Sequence, residues 1–114
     1  MNKVLDLSLK YQWYDMIERG EKLIEYRELS PYWVNRLTER KPEPERGDIL
    51  LGIDQHDIPL VAKKFDAVRF HRGQGSKRTM LFEIKEISVG FGLYWWGAPT
   101  DHEVFKIVLG KRLD

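Results

Sequence analysis

The 114-residue sequence has no cysteine. That excludes a disulfide scaffold and any cysteine-ligated zinc or iron–sulfur centre. It also has no apolar run approaching the roughly 18 residues that a membrane helix needs. The opening stretch, Met1-Asn2-Lys3-Val4-Leu5-Asp6, lacks the apolar core of a secretory leader, so the expected location is the cytoplasm. Net charge is nearly absent: 19 basic and 18 acidic side chains leave +1, which excludes a uniformly basic nucleic-acid coat. What the chain does have is 42% hydrophobic residues, too many for a disordered polypeptide. Its length suits a single domain with one core.

The small net charge hides an asymmetry. Residues 1–57 carry 9 basic and 12 acidic side chains, a net −3, and residues 58–114 carry 10 and 6, a net +4. Six cations fall within residues 63–78 (Lys63, Lys64, Arg69, Arg72, Lys77 and Arg78), with Asp66 as the sole acid. Such a patch attracts phosphate whatever the total charge.

Hydrophobic periodicity divides the chain into short elements. Leu5, Leu7 and Leu9 alternate with polar residues, which predicts a half-buried strand ending at Lys10. Residues 11–19 read as a helix with Trp13, Met16 and Ile17 on its buried stripe, stopped by Gly20. Leu23 to Glu28 reads as a second strand. Ser30-Pro31 opens a second helix, with Trp33, Val34 and Leu37 inward. Lys41 to Gly47, with two prolines among charges, reads as an exposed loop. Strands are predicted near 49–53, 65–71, 79–87 and 105–109, with a glycine-containing hairpin connection at 72–77. Five or six short strands and two early helices predict an α+β fold: an antiparallel, partly closed barrel with helices against it.

The densest polar cluster, Gly20-Glu21-Lys22-Leu23-Ile24-Glu25-Tyr26-Arg27, joins a helix end to a strand. Glu25 and Arg27 are two apart on a strand and so share a face. A lysine beside a carboxylate suits proton transfer or anion binding, and a guanidinium suits bidentate pairing; an ordinary surface ion pair fits the same spacing. Lys10, at the end of the first strand, is a candidate for binding, and so is Tyr14, off the helix stripe. Arg69 and Arg72 flank Gly73-Gln74-Gly75, where glycines permit close approach of a backbone to phosphate or base. Tyr94-Trp95-Trp96 offers rings for stacking on unpaired bases, and one of the two tryptophans is expected to cap the core. Asp54-x-His56-Asp57 lacks ligand spacing, so neither metal nor cofactor is expected.

Four ordered motifs carry a resemblance. Val4 to Lys10 with the helix Trp13 to Gly20 and Gly20-x-Lys22-x-x-Glu25-x-Arg27, then Ser30-Pro31-Tyr32-Trp33, then Phe65-Asp66-x-Val68-Arg69-Phe70 leading to Gly73-Gln74-Gly75, and last Trp96-Gly97-Ala98-Pro99 before Val104-Phe105, resemble the ASCH (activating signal cointegrator homology) family. The likeness is to its small single-domain bacterial and phage subgroup, and spans all but about residues 39–63, taken as a variable loop or insertion. It implies a PUA-like fold: a mostly antiparallel β-barrel of five or six strands, with two N-terminal helices packed against it and the G-x-K-x-x-E-x-R signature in a cleft beside the first helix. It also implies binding of RNA or a nucleotide-like ligand. Some small relatives hydrolyse an acetylated cytidine nucleoside with lysine, threonine and glutamate. Lys22 matches that lysine, but Glu25 occupies the threonine's position, so a hydrolase here would use Lys22 and Glu25 for proton transfer and water as the nucleophile. A protein-interaction adaptor using the tryptophan-rich loop is the non-catalytic alternative.

Overall fold

The computed structural model describes residues 3–114. The alternating leucines form β1 (Val4–Leu9), with Leu5, Leu7 and Leu9 all buried. Helix α1 (Tyr11–Glu18) follows at once, and Gly20 ends it in the left-handed conformation at φ +78°. Strand β2 spans Ile24–Arg27. Helix α2 (Pro31–Leu37) starts as its sequence dictates: Ser30 Oγ accepts the Trp33 N–H at 3.4 Å, and proline sits in the first turn, where its missing N–H costs nothing.

Residues 39–63 are not an irregular loop. Strands β3 (Thr38–Arg40), β4 (Leu50–Ile53) and β5 (Pro59–Ala62) make an antiparallel sheet in the order β3-β5-β4. The two prolines fall in the β3–β4 connection, where they remove no ladder bond. Asp54 builds the β4–β5 turn, its carboxylate accepting the His56 and Ile58 N–H groups at 2.8 and 2.9 Å.

The remaining strands, β6 (Ala67–Arg72), β7 (Thr79–Gly90) and β8 (Val104–Arg112), join β1 and β2 in one sheet, ordered β1-β6-β7-β8-β2. The β1–β6 pair is parallel and the other pairs antiparallel. The described residues thus form eight strands in two sheets, rather than five or six in one. The larger sheet is a curled, mixed half-barrel, and with the two helices it makes the fold α+β. β7 extends to Gly90, and register shifts at Phe82/Ile84 and Ile84/Glu86 change its phase, so Met80 is buried near its start and Ile87 near its end. Leu5, Leu7, Phe70, Met80, Phe105 and Ile107 centre the core, joined by Tyr14 and Ile17 from α1 and Leu37 from α2.

The two edges of the half-barrel, β1 and β2, are not paired as strands. Arg27 Nη2 donates to the Ser8 carbonyl at 3.1 Å, and Arg36 of α2 donates to the Asp6 carbonyl at 3.2 Å. Carbonyls two residues apart point the same way from a strand. The two guanidiniums therefore satisfy the edge where a neighbouring strand would have done so, and leave a gap beside β2. Among the described residues, no helix is long and apolar enough to cross a membrane.

Candidate functional site

That gap is a cleft of about 570 Å³. Ser8, Leu9 and Lys10 border it at the end of β1, and Trp13 enters from α1. Lys22, Glu25, Tyr26, Arg27 and Glu28 contribute from β2 and its flanks, and Trp33 from α2. Trp96, Gly97 and Pro99 close it on the side of a 3₁₀ turn (Tyr94–Trp96) in the β7–β8 connection.

The chemistry is centred on Glu25. One carboxylate oxygen is 3.2 Å from Lys22 Nζ, and the other accepts a charge-assisted hydrogen bond from Arg27 Nη1. Lys22 and Glu25 are only 1% and 4% exposed. Burial is the main reason Lys22's pKa is lowered below the ordinary lysine value, and Glu25 opposes the shift. The Lys22 ammonium also donates to the Trp96 carbonyl and lies 4.9 and 4.8 Å from the ring centres of Trp13 and Tyr26. Arg27 is shared in the same way: its guanidinium is 5.1 Å from the Trp33 ring centre.

The wall carrying Trp96 is pinned rather than loose. Tyr26 Oη accepts the Leu93 N–H at 3.0 Å, and Lys22 holds the Trp96 carbonyl. Gly97, at φ +100°, lies so close to Trp13 that a Cβ there would sit 2.9 Å from the ring.

Of the residues singled out from sequence, Lys10, Lys22, Glu25, Arg27 and Trp96 line this cleft together. Tyr14 does not. It is 0% exposed and faces the core, while Trp13, expected in the core, forms cleft wall. The buried side of α1 runs through Tyr14 and Ile17, one residue out of phase with the expected stripe.

Arg69, Arg72, Gly73, Gln74 and Gly75 also lie outside the cleft lining. Arg72 makes a two-pronged ion pair with Asp15, both bonds at 2.9 Å, and covers the Tyr11 ring. Tyr11 and Asp15 are four apart on α1, and Trp13 points from the opposite side of that helix. Gly73 packs under Tyr11 and donates its N–H to the Leu9 carbonyl. Arg69 faces Asp6 at 3.8 Å. Trp95 stands outside the cleft and is 64% exposed.

Sequence reasoning missed Ser8, Tyr26, Glu28 and Trp33 as lining residues. Trp33 carried a signal in the Pro31-Tyr32-Trp33 motif, but helical spacing assigned it to the core. No family model, curated protein or solved structure matches the chain.

Proposed function

We propose that the cleft binds a nucleobase-bearing ligand, either RNA or a nucleotide, within a PUA-like barrel of the ASCH type. One observation carries this reading: a Lys22–Glu25–Arg27 chain, its lysine and glutamate buried, in a cleft walled by Trp13, Trp33 and Trp96. Buried charges are costly to retain for stability alone, and their clustering in a cleft marks a functional site. Tryptophan walls suit a planar base, and the volume falls in the roughly 300–1,000 Å³ range of small-molecule sites. Lys10, exposed at the edge and making no cap bond to α1, is placed to meet a phosphate. The signature residues that carry the family resemblance are the ones that converge here, which supports the same reading.

Titration of mononucleotides and short RNAs at low salt, followed by tryptophan fluorescence, tests it. Saturable binding that is weakened in Lys10→Ala and Arg27→Ala is the expected result. No detectable binding of either ligand class removes the proposal.

A second reading rests on the lowered pKa of Lys22. Desolvation favours its neutral amine, the form that accepts a proton, and Glu25 is within reach to relay it. Water, giving its proton to the Lys22 amine, would then attack the acyl carbonyl of a modified nucleoside; the bond from that carbonyl to the nucleoside breaks, the nucleoside leaves with the proton, and the acyl group leaves as the carboxylic acid. A wild-type rate on acylated nucleosides no faster than buffer, or a Lys22→Ala variant as fast as wild type, removes this reading.

A further inference from the structure

The 3₁₀ turn carries three consecutive aromatic rings, and only Trp96 enters the cleft. Tyr94 is 71% and Trp95 64% exposed, and Phe91 just before them is also exposed. Large rings in water on a mobile loop would need no explanation beyond chance. This loop is fixed: its backbone is bonded to Tyr26 and Lys22, and Ala98 is buried beneath it. Ordering exposed rings on a rigid support lowers the entropy lost when something stacks on them.

Their arrangement also bears on what stacks there. A 3₁₀ turn has three residues per revolution, so successive side chains fan out about 120° apart. Tyr94, Trp95 and Trp96 therefore present separate ring faces, not one continuous apolar surface. A flat protein partner prefers a contiguous patch, whereas separate rings suit separate planar groups along a flexible chain. The fan is continuous with the cleft, because its third member is the cleft wall.

We infer that the site extends past the cleft onto Tyr94 and Trp95, and that the ligand is a single-stranded RNA segment with one nucleotide in the cleft and neighbouring bases on these rings. This rests on the cleft being a nucleobase site.

The test compares a free mononucleotide with end-labelled uridine oligomers of two to six residues, by fluorescence anisotropy at low salt, in wild type, Trp95→Ala, Tyr94→Ala and Trp95→Phe. Wild type should bind the longer oligomers at least tenfold more tightly than the mononucleotide. Trp95→Ala should lose about tenfold on oligomers, with mononucleotide affinity unchanged and Trp95→Phe restoring most of the loss. Equal affinity for all lengths, or oligomer binding untouched by both alanine variants, overturns the extension while leaving the cleft reading intact; the latter result would assign the exposed rings to a protein contact instead. Absence of binding at every length overturns both.

Discussion

Glu25 has two cationic partners and almost no water. Removing it strands two charges, so Glu25→Ala should cost about 3–5 kcal/mol of stability. Lys22→Met should cost clearly less, because Arg27 still neutralises Glu25 and the methionine fills the space between Trp13 and Tyr26. Urea unfolding midpoints of the two variants decide the order. His71 supplies the residue-scale pH dependence. Its ring nitrogens face two acceptors, Asp6 Oδ1 at 2.8 Å and the Ser76 carbonyl at 3.1 Å. Both nitrogens must donate to satisfy them, and Asp6 first, then Ser76, raises the pKa above its usual 6.5. A raised folded-state pKa means the stabilisation is fully present below about 6.5 and is lost as pH climbs through the folded value. Wild type should therefore lose urea resistance more steeply than His71→Gln as pH rises above about 6.5; parallel curves would contradict the assignment.

At the scale of elements, the connection between β7 and β8 decides the shape of the cleft. A Cβ on Gly92 would run into the Tyr26 ring and lie 2.6 Å from the Ala98 side chain. Gly92→Ala should lower stability by about 1–3 kcal/mol and release the Tyr26–Leu93 bond, seen as a weakened near-ultraviolet tryptophan signal and poorer ligand binding. The elements themselves were legible to differing degrees, for physical reasons. The leucine alternation of β1, the Ser30 cap and the glycine after α1 are local signals, and each element stands where its signal put it. β5 was not legible, because Pro59-Leu60-Val61-Ala62 is a short apolar run with proline at its head. The far end of β7 was obscured because its bulges break the two-residue period on which strand reading depends. In the site, Lys22, Glu25 and Arg27 were readable as a group because two of them share one strand face. Trp13 was not, since helical spacing alone does not tell core from cleft wall.

Across the whole molecule, the opposed charges of the two halves of the chain meet. Asp6, Asp15, Glu18 and Asp48 from the acidic half face Arg69, Arg72, Arg78 and Lys64 from the basic half. The basic stretch 63–78 is therefore largely neutralised in space, and on the proposed reading phosphate attraction falls to the cleft cations. Arg72→Ala should lower stability by roughly 0.5–1 kcal/mol yet leave RNA affinity unchanged, whereas Lys10→Ala should weaken binding. The salt dependence of binding should be shallow, with a log–log slope of about −1.5 to −2, as two or three phosphate contacts would give. A slope several times steeper, or a large affinity loss in Arg72→Ala, would return the basic turn to the binding surface.

The ladder between β2 and β8 has a consequence for how the protein comes into being. Residues 24–27 are paired with residues 105–108, and β1 is paired with residues 67–72. Both strands beside the cleft are made early but wait for partners that leave the ribosome much later, and such distant pairings are slow to close. A chain halted at residue 103 would hold both helices, Lys22, Glu25 and Arg27, and still have no strand to support β2. On the proposed reading, a chain of that length should not bind the ligand, because the β2 side of the cleft has no strand behind it.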